Sequence, residues 1–170
     1  MTTGPNLLLT TVTLAVICVA VSAASKRPGA IRSFYHFDGS RLVNGPPPAN
    51  GSYLAVQDRA VPVILTGPAG IEATVLPPGI GALAGICFIR TAGGKLASNS
   101  GFSPCPDLPL ALSSGGKVVL RTRTDKSGFF VAVLPAGVYR MVSGAFTVET
   151  QVESGKTTLV ALQAGKRMVD

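Results

Sequence analysis

The chain has 170 residues, 46% hydrophobic and only 14% charged, with 20 Gly, 13 Pro, 3 Cys, a single His and a formal net charge of +7. That length excludes a large multidomain enzyme, the aliphatic content excludes a disordered chain, and the low charge excludes a coiled coil. One His and three Cys leave little material for a metal site, and no cofactor-binding pattern is expected.

Residues Leu7–Ala24 carry no charge, and Lys26-Arg27 follow. An apolar run closing on Val21-Ser22-Ala23 has the form of a signal peptide over residues 1–23, although Met1–Asn6 holds no Lys or Arg. The rival reading is an uncleaved anchor, since a segment of this length is just able to span a bilayer. Membrane contact is expected only in that case. Cys18 is preceded by Ile17, against a lipoprotein site. The chain thus reads as a bacterial-type exported protein that is periplasmic, envelope-associated or secreted.

Residues 24–60 mix Lys26, Arg27, Arg32, Arg41 and Arg59 with Asp38 and Asp58, and include Gly45-Pro-Pro-Pro-Ala-Asn-Gly51. A Pro run of this kind is stiff and does not enter a sheet interior, which predicts a loosely held basic arm. Its apolar cluster, Phe34, Tyr35 and Phe37 around His36, is a candidate docking patch. His36 has no His or Cys at ligand spacing, so burial beside aromatics is the simpler expectation. Asn50-Gly51-Ser52 fits a glycosylation sequon, a tripeptide common by chance.

Residues 61–165 are expected to form one β domain, most securely over 115–162, followed by a tail at 166–170. Val61–Thr66 and Ile71–Leu76 look like short strands, the first an edge strand because of Pro62. Further strands are expected over Ile86–Thr91, Leu108–Leu112, Lys117–Thr124, Phe129–Leu134, Val138–Val142, Phe146–Val152 and Lys156–Gln163. Gly/Pro turns separate them, and no helical periodicity is found. Such spacing predicts an all-β fold, a small antiparallel sandwich, with little room for a deep active-site cleft. In an oxidising compartment Cys87 and Cys105 form an even pair, expected as a disulfide that stabilises by roughly 3 kcal/mol.

Thr122-Arg-Thr-Asp-Lys-Ser-Gly-Phe-Phe-Val-Ala-Val-Leu-Pro-Ala-Gly-Val-Tyr-Arg140 resembles the carboxypeptidase regulatory-like domain, a transthyretin-like (prealbumin-like) β-sandwich. Val148–Val152 followed by Gly155-Lys-Thr-Thr158 also resembles that family. The residues carrying the likeness are Thr124, Asp125, Gly128, Phe130, Pro135, Gly137 and Tyr139. The resemblance implies a turn built on Asp125 and Gly128, core packing by Phe130 and Tyr139, and a non-catalytic folding or interaction module. One enzyme branch of the fold hydrolyses 5-hydroxyisourate with several His, an Arg and a C-terminal Tyr-Arg-Gly-Ser. Here His36 stands alone and Tyr139-Arg140 lies far from the end, so catalytic residues are expected to be none. Gly155-Lys156-Thr157-Thr158 lacks the upstream Gly of a phosphate-binding loop, and Thr150 stands at that position.

Lys117, Arg121 and Arg123 fall on the outward face of one strand. Nucleic acid is an unsuitable partner for an exported chain whose late aromatics occupy core positions. An unidentified protein or an anionic envelope polymer suits the charge better. Glu149 and Glu153 on a neighbouring strand are candidates to neutralise the patch. The expected function is a non-catalytic binding or structural module of the cell envelope or extracellular space. The alternatives are a carbohydrate- or peptidoglycan-binding accessory and a small hydrolase on a transthyretin-like fold.

Overall fold

The structure, a computed structural model, describes residues 32–45, 50–67, 71–93, 101–144 and 146–169. The signal segment 1–23 and the Pro46–Ala49 run lie outside the described residues. Those described form twelve strands and no helix: β1 Ser33–Phe37, β2 Leu42–Asn44, β3 Tyr53–Val56, β4 Val63–Leu65, β5 Ile80–Gly93, β6 Gly101–Pro104, β7 Pro109–Ser114, β8 Lys117–Arg123, β9 Phe129–Pro135, β10 Gly137–Ser143, β11 Phe146–Val152 and β12 Thr157–Val169.

These strands make three sheets. The first has the order β2-β1-β3-β4, the second β12-β5-β6 with β9 also on β5, and the third β11-β10-β7-β8. The expected all-β sandwich is present in the second and third. Leu83, Cys87, Phe130, Ala132 and Leu134 from one sheet meet Leu110, Leu112, Tyr139, Met141 and Val152 from the other in one buried cluster. Alternation along the third-sheet strands produces this core, since residues i and i+2 share a face.

The first sheet adds a third layer. Ala84, Ile86 and Phe129 on the opposite face of the middle sheet pack with Leu54, Tyr35, Phe37 and Leu42. The middle sheet is therefore covered on both sides, and every residue from Gly81 to Phe88 is buried. Of residues 24–60, expected as a loose arm, those described supply three strands of that layer. The physical reason is the period-2 pattern of β1 and β3, which covers the apolar back of β5 and β9. Ile71–Leu76 forms no strand beyond an isolated bridge between Val75 and Ala60.

All pairings are antiparallel but one. β12 runs parallel to β5 from Thr157 opposite Ala82 to Val169 opposite Gly93. A parallel neighbour demands close approach: a Cβ at Gly85 would lie 2.1 Å from the Val160 carbonyl oxygen. The part of the tail placed at 166–169 belongs to this strand.

Candidate functional site

The motif residues form the turn that joins β8 to β9. Asp125 Oδ1 accepts the backbone N–H of Ser127 and of Phe129 at 2.9 and 2.8 Å, and Gly128 adopts φ +80°. An Asx-type turn closed by a positive-φ Gly fits this sequence. Thr124 is buried, its hydroxyl donating to the Cys105 carbonyl and accepting the Leu108 N–H. Phe130 lies in the core, and the Tyr139 hydroxyl donates to the Pro135 carbonyl at 2.8 Å across Gly137. Their contacts are those of a turn and a core, and none of them borders the recesses described below.

Cys87 on β5 and Cys105 after β6 are buried neighbours, with the Cys105 N–H donating to the Cys87 carbonyl at 3.0 Å. They stand as two free thiols, so the expected bridge is not formed in this structure. Burial first, and then the hydrogen bond and charge of Cys105, push the Cys87 thiol up to about 12. Burial of this kind disfavours the thiolate, the reactive form of the group.

The aromatic patch is turned inward. Phe34 packs edge-on to Tyr53 at 5.9 Å, and Phe37 meets Phe88 at 4.6 Å and Phe102 at 4.7 Å. Tyr35 joins the buried layer between the first and middle sheets. Tyr35 and Phe37 thus tie the first sheet to the middle one, Phe34 packs on the first sheet's other face, and the three do not form a free docking patch. Beside them His36, Phe37, Ser52, Phe102, Lys126 and Ser127 border a recess of about 380 Å³. Its hydroxyls are satisfied by each other, Ser52 and Ser127 lying 2.9 Å apart, while His36 Nδ1 is enclosed without a partner among the described residues.

The basic strand face is open to solvent. On the outer side of the third sheet, register sets Ala111 between Arg121 and Val142, Arg123 beside Pro109, and Arg140 between Ser113 and Glu149. Val118, Val119 and Val138 on this sheet are about half exposed, at 49%, 51% and 53%. The extra residue of a bulge near Leu112/Ser113 puts both Val118 and Val119 at the surface. A groove of about 640 Å³ runs between Pro109, Ala111, Arg121, Arg123 and Val142. Lys117 stands at the opposite end of β8 from this groove, after the Gly115-Gly116 turn, whose two positive φ values suit a tight hairpin.

Neutralisation follows a different route from the one expected. Arg123 pairs with Asp107 at 3.0 Å, and Glu153 pairs with Lys156 at 2.6 Å. Arg121 and Arg140 form no ion pair among the described residues. Alternation along β8 already places Val119 on the face of Arg121 and Arg123, whereas Arg140, Val118 and Val138 are not found from the sequence, because a strand pattern alone does not tell which sheet face lacks a covering layer or where a bulge falls.

No model of a known protein family matches the chain. No curated protein matches it either. Among solved structures it is similar to GBS52, the minor pilin of the Gram-positive pathogen Streptococcus agalactiae, with 14% identity and a TM-score of 0.39. That likeness covers 76% of this chain and 66% of the pilin. At this level no residue role and no activity carries over from the pilin.

Proposed function

We propose that the chain is a non-catalytic, exported module of the cell envelope or extracellular space, acting by contact through the outer face of the β11-β10-β7-β8 sheet. The observation that carries this reading is an uncovered sheet face on which half-exposed valines alternate with Arg121 and Arg140. Apolar area supplies affinity, and the unpaired guanidinium groups select a partner of net negative charge. A protein or an envelope polymer meets that description.

Two further features support a contact module. The chain's one imidazole is packed against the first sheet's own backbone, with a Cβ at Gly45 falling 3.3 Å from His36 Cε1. The Tyr139 hydroxyl is committed to a carbonyl. Export rests on the apolar segment before Lys26 and on the Val21-Ser22-Ala23 end. The geometry around Thr124, Asp125, Gly128 and Tyr139 supports a transthyretin-like, carboxypeptidase regulatory-like relationship for β8–β11.

Sedimentation with isolated envelopes of the native host tests the reading. The double variant R121Q/R140Q should lower the bound fraction, with salt doing the same to the unaltered protein. The variant R59Q/K126Q, of equal net charge, should bind as the unaltered protein does. Equal loss in both variants would reduce the effect to bulk charge, and no loss in either would overturn the assignment.

A further inference from the structure

We infer that the far end of the middle sheet binds an acidic saccharide, in a groove built on Arg90, Lys166 and Phe102. This site lies on a different sheet from the valine–arginine face and does not depend on it.

Strand register assembles the groove. Arg90 on β5 stands directly opposite Phe102 on β6 and directly opposite Lys166 on β12. Directly paired residues project from the same face, so one row across three strands reads aromatic, cation, cation. The second cation is there because of a bulge. Gln163 pairs with Phe88 and Gly165 with Ile89, leaving Ala164 as an extra residue. In unbroken register Lys166 would oppose Thr91 and project from the other face. The bulge re-aims it to the side of Arg90.

Two like charges directly opposed in a sheet destabilise the free protein. Among the described residues neither Arg90 nor Lys166 forms an ion pair. An arrangement that costs stability in the free molecule is relieved by an anion seated between the two cations.

The remaining walls define what carries that anion. Asp38, Gly39, Ser40, Thr91, Gly101 and Phe102 complete an open groove of about 720 Å³ with Arg90 and Lys166. Phe102 is 39% exposed and is held edge-on against Phe37 and Phe88, leaving an aromatic surface for the C–H face of a sugar ring. Gly39, at φ +97°, lets the β1–β2 turn lie against that ring without filling the groove, since a Cβ there would fall 3.3 Å from Phe102 Cδ1.

Asp38 is the one acid in the wall. Its carboxylate accepts the N–H groups of Ser40 and Arg41, both at 2.8 Å, and faces the Arg41 guanidinium at 3.8 Å. Those hydrogen bonds hold it below the ordinary carboxylate range, so it stays ionised and acts as an acceptor for hydroxyl groups. Hydroxyl acceptors and donors, a ring platform and a cation pair together match a uronic-acid type of saccharide.

The test is isothermal titration of the protein with tetragalacturonate, maltotetraose and inorganic phosphate. Tetragalacturonate should bind in a salt-sensitive way, and the other two should bind at least about tenfold more weakly. R90Q and K166Q should each weaken tetragalacturonate about tenfold or more while leaving the unliganded protein at least as resistant to heat, because the like-charge pair is gone. F102L should weaken tetragalacturonate but not phosphate. R121Q/R140Q should leave all three titrations unchanged, which separates this site from the valine–arginine face. Absence of tetragalacturonate binding, equal binding of maltotetraose or of phosphate, or full affinity in both R90Q and K166Q would each overturn the inference.

Discussion

Gly128 lies against Cys87 so closely that a Cβ on Gly128 would stand 2.5 Å from the Cys87 carbonyl oxygen. The same pair is hydrogen-bonded, Cys87 N–H to Gly128 carbonyl at 2.8 Å. The β8–β9 turn is thereby pressed onto the middle strand at the point where β5 passes from β9 to β6. One small residue permits both the positive φ of the turn and the contact beneath it.

Gly128→Ala should therefore be severe. A left-handed conformation costs Ala about 1–2 kcal/mol, and the contact with backbone adds to that because neither strand can yield alone. We expect a loss of at least about 2 kcal/mol in urea unfolding. A loss below half of that would mean that the turn is free to move off β5.

Tyr139→Phe isolates one hydrogen bond. The ring is buried, and only the bond from its hydroxyl to the Pro135 carbonyl is removed. The substitution should cost about 1 kcal/mol, read as a shift of the urea midpoint with an unchanged slope. No shift would indicate that water satisfies Pro135 equally well.

The Cys87 thiol carries a pH signature. Unfolded cysteine titrates near 8.5, whereas burial pushes folded Cys87 up to about 12. The folded state keeps its proton longer, so the stability gained is complete below the unfolded value and is lost as pH climbs through the folded one. In reduced protein, stability should fall between about pH 8.5 and 12 at up to about 1.4 kcal/mol per pH unit from this group. We propose that an oxidising compartment closes Cys87 onto Cys105. Oxidised protein should then lack this share of the alkaline loss, and intact mass without reduction should show both thiols absent. Identical alkaline profiles and two free thiols after oxidation would sink the bridge.

Legibility in the sequence follows how local the determinants are. The hairpins from β7 to β11 are readable because Asp125, Gly128 and Gly115-Gly116 specify turns within a few residues, and period-2 alternation marks one covered face. The second half of β5 coincides with the strand expected over Ile86–Thr91, but its first part, Ile80–Gly85, is hidden by the opposite circumstance. With both faces covered it has no alternation, and Gly81 and Gly85 look like breakers although each makes room for neighbouring backbone, a carbonyl oxygen that a Cβ there would meet at 2.1 Å. Its parallel partner β12 is set by a pairing across more than seventy residues, which no local pattern encodes. The Arg121 and Arg123 face is readable from alternation alone. The Arg90–Lys166 pair is not, because it depends on the extra residue Ala164.

Phe37 decides whether residues 32–60 are an arm or a layer. Its ring touches Phe88 of β5 and Phe102 of β6, so it links the first sheet to the middle one. Truncating a half-buried ring at such a junction should cost about 2–3 kcal/mol, less than a fully enclosed phenylalanine would. In F37A the cover over Ile86 and Phe129 is weakened, and the first sheet should open before the sandwich unfolds. Limited proteolysis read by mass spectrometry should show earliest cleavage within residues 32–67, while β7–β11 stay intact. An arm that merely lay on the surface would be cut at the same rate with or without Phe37, and global stability would not change. Faster cleavage together with a lower urea midpoint is therefore the outcome that a three-layer protein requires.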